Sequence, residues 1–276
     1  MTNTMMFGPL GRQVAIPYPV SGMGFDGSTD VTEDKLLSGG LSIYRAPTTF
    51  KHYNMSWSGG TVGLMPMVDM HAGAYGRGPF YLTDPLAASS NLLPTRWASP
   101  WQLAFLANGW GAPVVANQMN TPEGQQVTFN PDTGRAPRIA VPLLPGQPMY
   151  LKAWGSVTGT AAISVFGLRV SDLTWVQLAD CVPTLTNEAG ALYMSDNATY
   201  CAIKLVLNVP ASSTLSLQHI DLYAAPYSFG VSGFRMGRGV GAVQFAGDIV
   251  GKLTGIVVDR MGITVDLKEV QRDPAL

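Results

Sequence analysis

The chain has 276 residues, of which 46% are hydrophobic and only 13% charged, and its net charge is −1. That leaves no basic field to hold nucleic acid or an anionic membrane surface, and no stretch approaches the roughly 18 unbroken apolar residues of a membrane-spanning helix. Charge at about half the globular norm of roughly 25% suits a subunit that covers much of its surface with other subunits. Thirty-one glycines and twenty prolines imply frequent turns and many short strands rather than long helices.

The opening "MTNTMMFGPLGRQ" has no basic start followed by an apolar run, so no secretory signal is expected and synthesis and folding are expected in a cytoplasm. Next comes "SGMGFDG", in which Gly22, Gly24 and Gly27 have the G-x-G-x-x-G spacing of a dinucleotide loop. Such a loop must leave a buried strand and enter a helix whose N-terminus holds the phosphate. Here Pro17 and Pro19 precede it, and the polar "STDVTEDKLLSGG" follows. No βαβ unit surrounds the glycines, which are expected instead in a surface loop using positive φ.

Strands are expected at 41–47, 52–59 and 78–85, the last closed by Asp84-Pro85. Asp69 and His71 could offer two metal ligands on one strand face, but no third ligand is signalled and no metal site is expected. One helix is signalled over 98–109, with Ser99 as N-cap, Pro100 at its first position and Asn108-Gly109 as its stop. Two strands about a Gly155–Gly159 turn follow within 148–170, then alternating strands at 174–182, 199–210 and 213–225. In the last of these, His219 is expected on the face of Leu217 and Asp221, as a hydrogen-bonded strand histidine. Strands at 242–247, 253–259 and 263–270 close the chain, with Ile263, Val265 and Leu267 facing one way and Thr264, Asp266 and Lys268 the other.

Composition shifts near residue 95 and again near 226. The fold class expected is all-β. Residues 1–96 and 227–276 form a discontinuous β-barrel, and 97–226 an inserted antiparallel β-sandwich. Cys181 and Cys201 are too few for a disulfide framework and are expected as free thiols on strands, close together if the intervening segment forms a hairpin.

No catalytic constellation stands out. The acids of the inserted region, Glu123, Asp132, Asp172, Asp180, Glu188, Asp196 and Asp221, lie in no distinctive motif. A glycosidase pair need not be close in the chain, so it is not excluded by spacing. Tryptophans concentrate here: Trp97, Trp101, Trp110, Trp154 and Trp175. Trp154 is expected to point inward. Trp101, Trp110 and Trp175 are the candidates for stacking on a sugar ring, against the ordinary reading of a sandwich tryptophan as core.

The phrase "RGPFYLTDPLAASSNLLPTRWASP" runs from an aromatic strand after Gly-Pro through Asp-Pro to Asn-x-Leu-Pro. It resembles minor tail proteins of long-tailed (siphovirus) phages, especially those of actinobacteria. "GPLGRQVAIPYPVSGM" resembles their N-terminus and "AVQFAGDIVGKLTGIVVDRMGITVDLKEV" their closing strands; the likeness touches about half the chain. The plan is similar to that of distal tail proteins, a tail-type β-barrel carrying a carbohydrate-binding-like sandwich. The resemblance implies a structural, non-enzymatic virion protein of the tail, assembled in the host cytoplasm. It implies a homo-oligomeric ring, sixfold before threefold, that joins tail tube to tip and meets other tail proteins or a host cell-wall glycan. It carries over no catalytic, metal or cofactor residue, and Cys181 and Cys201 match nothing in it. A free carbohydrate-binding module and a glycan-cleaving tip enzyme are the alternative classes.

Overall fold

The structure is a computed structural model. It describes residues 4–19, 23–28, 31–35, 41–45, 50–58, 61–73, 78–83, 91–93, 95–98, 115–121, 124–129, 138–143, 149–183, 192–194, 199–224, 242–253 and 261–270. Strands dominate them, and the sheets are built on antiparallel pairings. Two compact units are formed. One comprises 1–8, 14–80 and 242–272; the other comprises 9–13, 81–241 and 273–276.

The first unit is built on an eight-stranded sheet. Its strands are β1 (Thr4–Gly8), β2 (Val14–Pro17), β3 (Met23–Ser28), β6 (Phe50–Trp57), β7 (Phe80–Thr83), β17 (Ala242–Phe245), β18 (Val250–Leu253) and β19 (Met261–Glu269). They run in the order β2-β1-β7-β17-β19-β6-β3, with β18 also pairing β19. The ends of this path, β2 and β3, do not pair among the described residues. The sheet is therefore open there, where a closed barrel was expected. A separate hairpin joins β4 (Val31–Lys35) to β5 (Leu41–Arg45).

β19 alternates as the sequence indicated. Ile263, Val265 and Leu267 are buried opposite Trp57, Met55 and Tyr53 of β6. On the other face Asn54 donates to Asp266, and the Ser56 and Thr264 hydroxyls are 3.3 Å apart. Burying each such aliphatic side chain contributes about 1.5–3 kcal/mol. Phe7, Phe80 and Phe245 pack with ring centroids 5.4–5.7 Å apart, and Trp57 Nε1 donates to the Pro17 carbonyl at 3.0 Å.

Two local readings are corrected here. Gly24 and Gly27 lie within strand β3, paired with Asn54 and Lys51 of β6, so they form a ladder rather than a surface loop. Asp69 and His71 lie in helix α1 (Met65–His71), which follows a 3₁₀ turn at Thr61–Leu64. Positions i and i+2 diverge by about 200° on a helix, so the two side chains do not share a face. Pro66 stands in the first turn, and Met67 and Met70 face the core. His71 packs edge-on to Phe245 at 5.0 Å.

The second unit has two sheets. One runs β10-β15-β12-β13, and the other runs β14-β11-β16-β9-β8. The strands are β8 (Val115–Thr121), β9 (Gly124–Phe129), β10 (Arg138–Pro142), β11 (Met149–Thr158), β12 (Ala162–Arg169), β13 (Trp175–Cys181), β14 (Leu192–Met194), β15 (Tyr200–Asn208) and β16 (Thr214–Ala224). Buried rows alternate along them: Met149, Leu151 and Ala153 on β11; Ile163 and Val165 on β12; Ile203, Leu205 and Leu207 on β15. Gly155 is not a turn residue. It lies in β11 beside a bulge, and the turn falls at Gly159, whose φ of 69° suits glycine. A four-residue helix, α2 (Thr95–Ala98), packs on β16. Apart from Ala98, the helix expected over 98–109 lies outside the described residues.

Candidate functional site

Strand β16 carries the main departure from simple alternation. Trp154 of β11 pairs with His219, but Gly155 pairs with Leu217, so Gln218 is an extra residue in β16. A bulge of this kind switches the faces of everything beyond it. Leu215 and Leu217 are buried on one side of the bulge, Ile220 and Leu222 beyond it. His219 therefore shares a face with Asp221 and Tyr223, as expected for Asp221, but not with Leu217.

Opposite these three stand Trp154, Lys152 and Tyr150 of β11, pair by pair. Tyr150 stacks on Tyr223 at 5.6 Å, and Trp154 on His219 at 3.9 Å with 19° between the planes. Trp154 is buried, as expected, though on this face rather than with Met149, Leu151 and Ala153. Between the two stacks, Lys152 faces Asp221 and lies 5.5 Å from the Tyr223 centroid. Asn91 closes the row. Its Nδ2 donates to the Ile220 carbonyl and to Asp221 Oδ1, both at 2.9 Å. Its Oδ1 accepts from the backbone N–H groups of Leu93 and Leu222, at 3.0 and 3.1 Å.

Burial pushes the Asp221 carboxyl up to about 7, against the opposing pull of Lys152 and Asn91. Burial also pushes His219 down to about 4. Both groups thus favour their neutral forms, with opposite consequences for stability. Asp221's contribution is complete below the ordinary carboxylate value of 3.8 and is lost as pH rises through about 7. That of His219 is complete above 6.5 and is lost as pH falls through about 4. Between about pH 4 and 6.5 the two slopes oppose each other. Asp221→Asn is expected to make stability rise with pH across that window relative to wild type, and His219→Gln to make it fall. The Asp221 effect is on the order of a few kcal/mol, the His219 effect smaller because its ring is less buried. Urea midpoints at half-unit pH steps check the signs; parallel profiles for all three proteins contradict them.

A second aromatic site lies on the other sheet. Trp175, the described member of the sugar-stacking candidates, begins β13 and is half-buried. It is not core. The Lys204 ammonium lies 4.7 Å from the Trp175 centroid and 4.7 Å from that of Phe166. Register brings the three together, since Phe166 of β12 pairs with Lys204 of β15, and Leu168 with Trp175. Burial and the neighbouring Arg138 guanidinium both hold the Lys204 pKa below its ordinary value. The hairpin that presents Trp175 is tied by Asp172, whose Oδ1 accepts from the Thr174 hydroxyl at 2.8 Å and its backbone N–H at 3.2 Å. Those bonds, with Arg169 at 3.4 Å, hold the Asp172 carboxyl below the usual value. Trp101 and Trp110 lie outside the described residues.

The described acids are not gathered into a pair. Asp172 sits in the β12–β13 turn, Asp180 is exposed near the far end of β13 beside Gln177, and Asp221 belongs to the other sheet. Glu123, Asp132, Glu188 and Asp196 lie outside the described residues. Cys181 and Cys201 form no disulfide, as expected, and stand toward opposite ends of β12, so the proximity that a hairpin between them would have given is not found. Among the described residues, no group of three or more His, Cys, Asp or Glu is placed to hold a metal, and no helix is long and apolar enough to cross a membrane.

Asn91, Phe166 and Lys204 were not singled out from sequence. Lys204 does interrupt the apolar phase of "YCAIKLVLN", but its partners depend on cross-strand register. No protein-family model matches the chain, and no curated protein matches it.

Proposed function

We propose that this protein is a structural subunit of a long-tailed phage, of the minor or distal tail type. In this reading the open eight-stranded sheet is the tail-type half, and the two sheets of the second unit form a carbohydrate-binding-like sandwich. The observation that carries it is the sharing of one sheet by the two chain ends. β19 pairs with β6, while 81–241, apart from its first residues in β7, belongs to the other compact unit. A long insertion between two paired strands is thermodynamically inexpensive, because closing a loop costs only about 0.6 kcal/mol per doubling of its length. The low charge supports permanent burial of lateral surface in a closed ring, sixfold before threefold.

Purified full-length protein should behave as a closed oligomer by mass photometry, with particle images placing it in a ring at the tail's distal end. A monomer at micromolar concentration, absent from purified particles, would overturn the reading. The Trp175 face supports a second reading, a saccharide-binding module with no assembly role, for which sugar binding by a monomer is the discriminating result. A glycan-cleaving enzyme instead predicts release of reducing ends from host cell-wall polysaccharide.

A further inference from the structure

The outer face of the β10-β15-β12-β13 sheet holds a positive charge without an obvious counterpart. Lys204 Nζ lies over both the Phe166 and Trp175 rings, 4.7 Å from each centroid, and among the described residues it has neither a hydrogen-bond acceptor nor a carboxylate partner. Ring faces attract a cation through their quadrupoles, but they do not neutralise it. Arg138 lies on the same face, because Ala140 of β10 pairs with Lys204 and Arg138 is two residues further along that strand. It adds positive potential. The described acids nearby are otherwise engaged: Asp172 with Arg169 and Thr174, Asp180 with Gln177.

We propose that the Phe166–Trp175–Lys204 face binds an anionic saccharide, its acidic group against the Lys204 ammonium and its pyranose ring against Trp175. This rests on the carbohydrate-binding reading above and narrows it to a charged ligand. A half-buried indole offers an apolar plane for the C–H face of a sugar. A carboxylate or phosphate on that sugar supplies the missing counter-charge. Gln177, exposed and paired with Phe166, keeps its amide oxygen and the N–H not given to Asp180 for hydroxyl groups beside the rings. A neutral sugar leaves the ammonium as it is, so charge rather than stacking alone sets the preference.

The test is calorimetric titration of the full-length protein, at low and at physiological salt, with tri-galacturonate, maltotriose, a glucose phosphate and inorganic phosphate. Tri-galacturonate and the glucose phosphate, the two sources of the acidic group, are expected to rank above maltotriose. Tri-galacturonate should bind at least about tenfold tighter than maltotriose, since a charge-assisted hydrogen bond contributes at least that much. Added salt should shrink the advantage. Lys204→Met, which keeps the aliphatic stem over the rings, should abolish it, and Lys204→Arg should retain it. Arg138→Gln, which leaves the rings untouched, should reduce it, so the outcome does not depend on one variant folding. Equal binding of the acidic and neutral trisaccharides, lost in Trp175→Ala, would overturn the charge preference while the saccharide reading stands. Binding of neither would overturn both. Inorganic phosphate binding as tightly as tri-galacturonate, or a preference that survives in Lys204→Met, would also overturn the proposal.

Discussion

Gly155→Ala is expected to cost the second unit at least about 3 kcal/mol, near or beyond the upper end of ordinary overpacking effects. A Cβ at this position would stand 1.9 Å from the Ser216 carbonyl oxygen, 2.9 Å from its carbonyl carbon and 3.1 Å from Leu217 Cα. All three are backbone atoms, so no rotamer change relieves the clash. They belong to the strand paired with β11 on one side of the bulge, and β11 and β16 are both interior strands of their sheet. Relief requires parting those strands and breaking ladder hydrogen bonds on either side. Gly247→Ala is the control: a Cβ there meets nothing within 4 Å. Thermal melts followed by near-ultraviolet circular dichroism should show the Gly155 variant losing its transition or melting at least about 6 °C lower, with the control near wild type. Equal melting of all three would mean that the strands do not approach this closely.

Asn91→Ala is expected to be of comparable size, about 3–5 kcal/mol, by a different route. The side chain is 1% exposed and makes four hydrogen bonds. Its removal strands the Leu93 and Leu222 N–H groups and takes a donor from Asp221, and each buried orphan costs about 1–3 kcal/mol. The Leu92 N–H bond to the Leu222 carbonyl, at 2.8 Å, would remain to tie this segment to β16. Asn91→Asp separates shape from chemistry. It keeps an acceptor for the two N–H groups but sets a second carboxylate against Asp221. Its instability should be severe at pH 8 and should ease toward pH 5, where the pair can hold a proton. Urea midpoints at the two values check this; loss of equal size at both would remove the like-charge explanation.

The legible parts of the fold were those governed by local alternation. β19 could be read residue by residue, because Ile263, Val265 and Leu267 recur with period two and no bulge interrupts them. β16 looked equally regular as "TLSLQHIDLYA", yet its two halves face opposite ways. The cause is non-local: Gly155 on the partner strand admits the close approach beside which Gln218 bulges. In α1, Asp69 and His71 imitated a strand face, whereas the helical evidence was the i, i+3 spacing of Met67 and Met70 with Pro66 in the first turn. "GMGFDGS" was read through its glycines, but pairing with β6 makes it a strand. The candidate site was legible only as Trp175. Finding Lys204 and Phe166 beside it required the register of three strands, which no single strand contains.

The two thiols have a practical consequence. Burial pushes Cys181 up to about 12 and raises Cys201 above its ordinary value, and the latter's Sγ lies 3.5 Å from the Leu168 carbonyl. Nucleophilic attack proceeds through the thiolate, so maleimide reagents at neutral pH should react with Cys181 far more slowly than with an exposed thiol, and with Cys201 less slowed. A single cysteine introduced at an exposed position such as Asp248 would then be labelled in preference to Cys181.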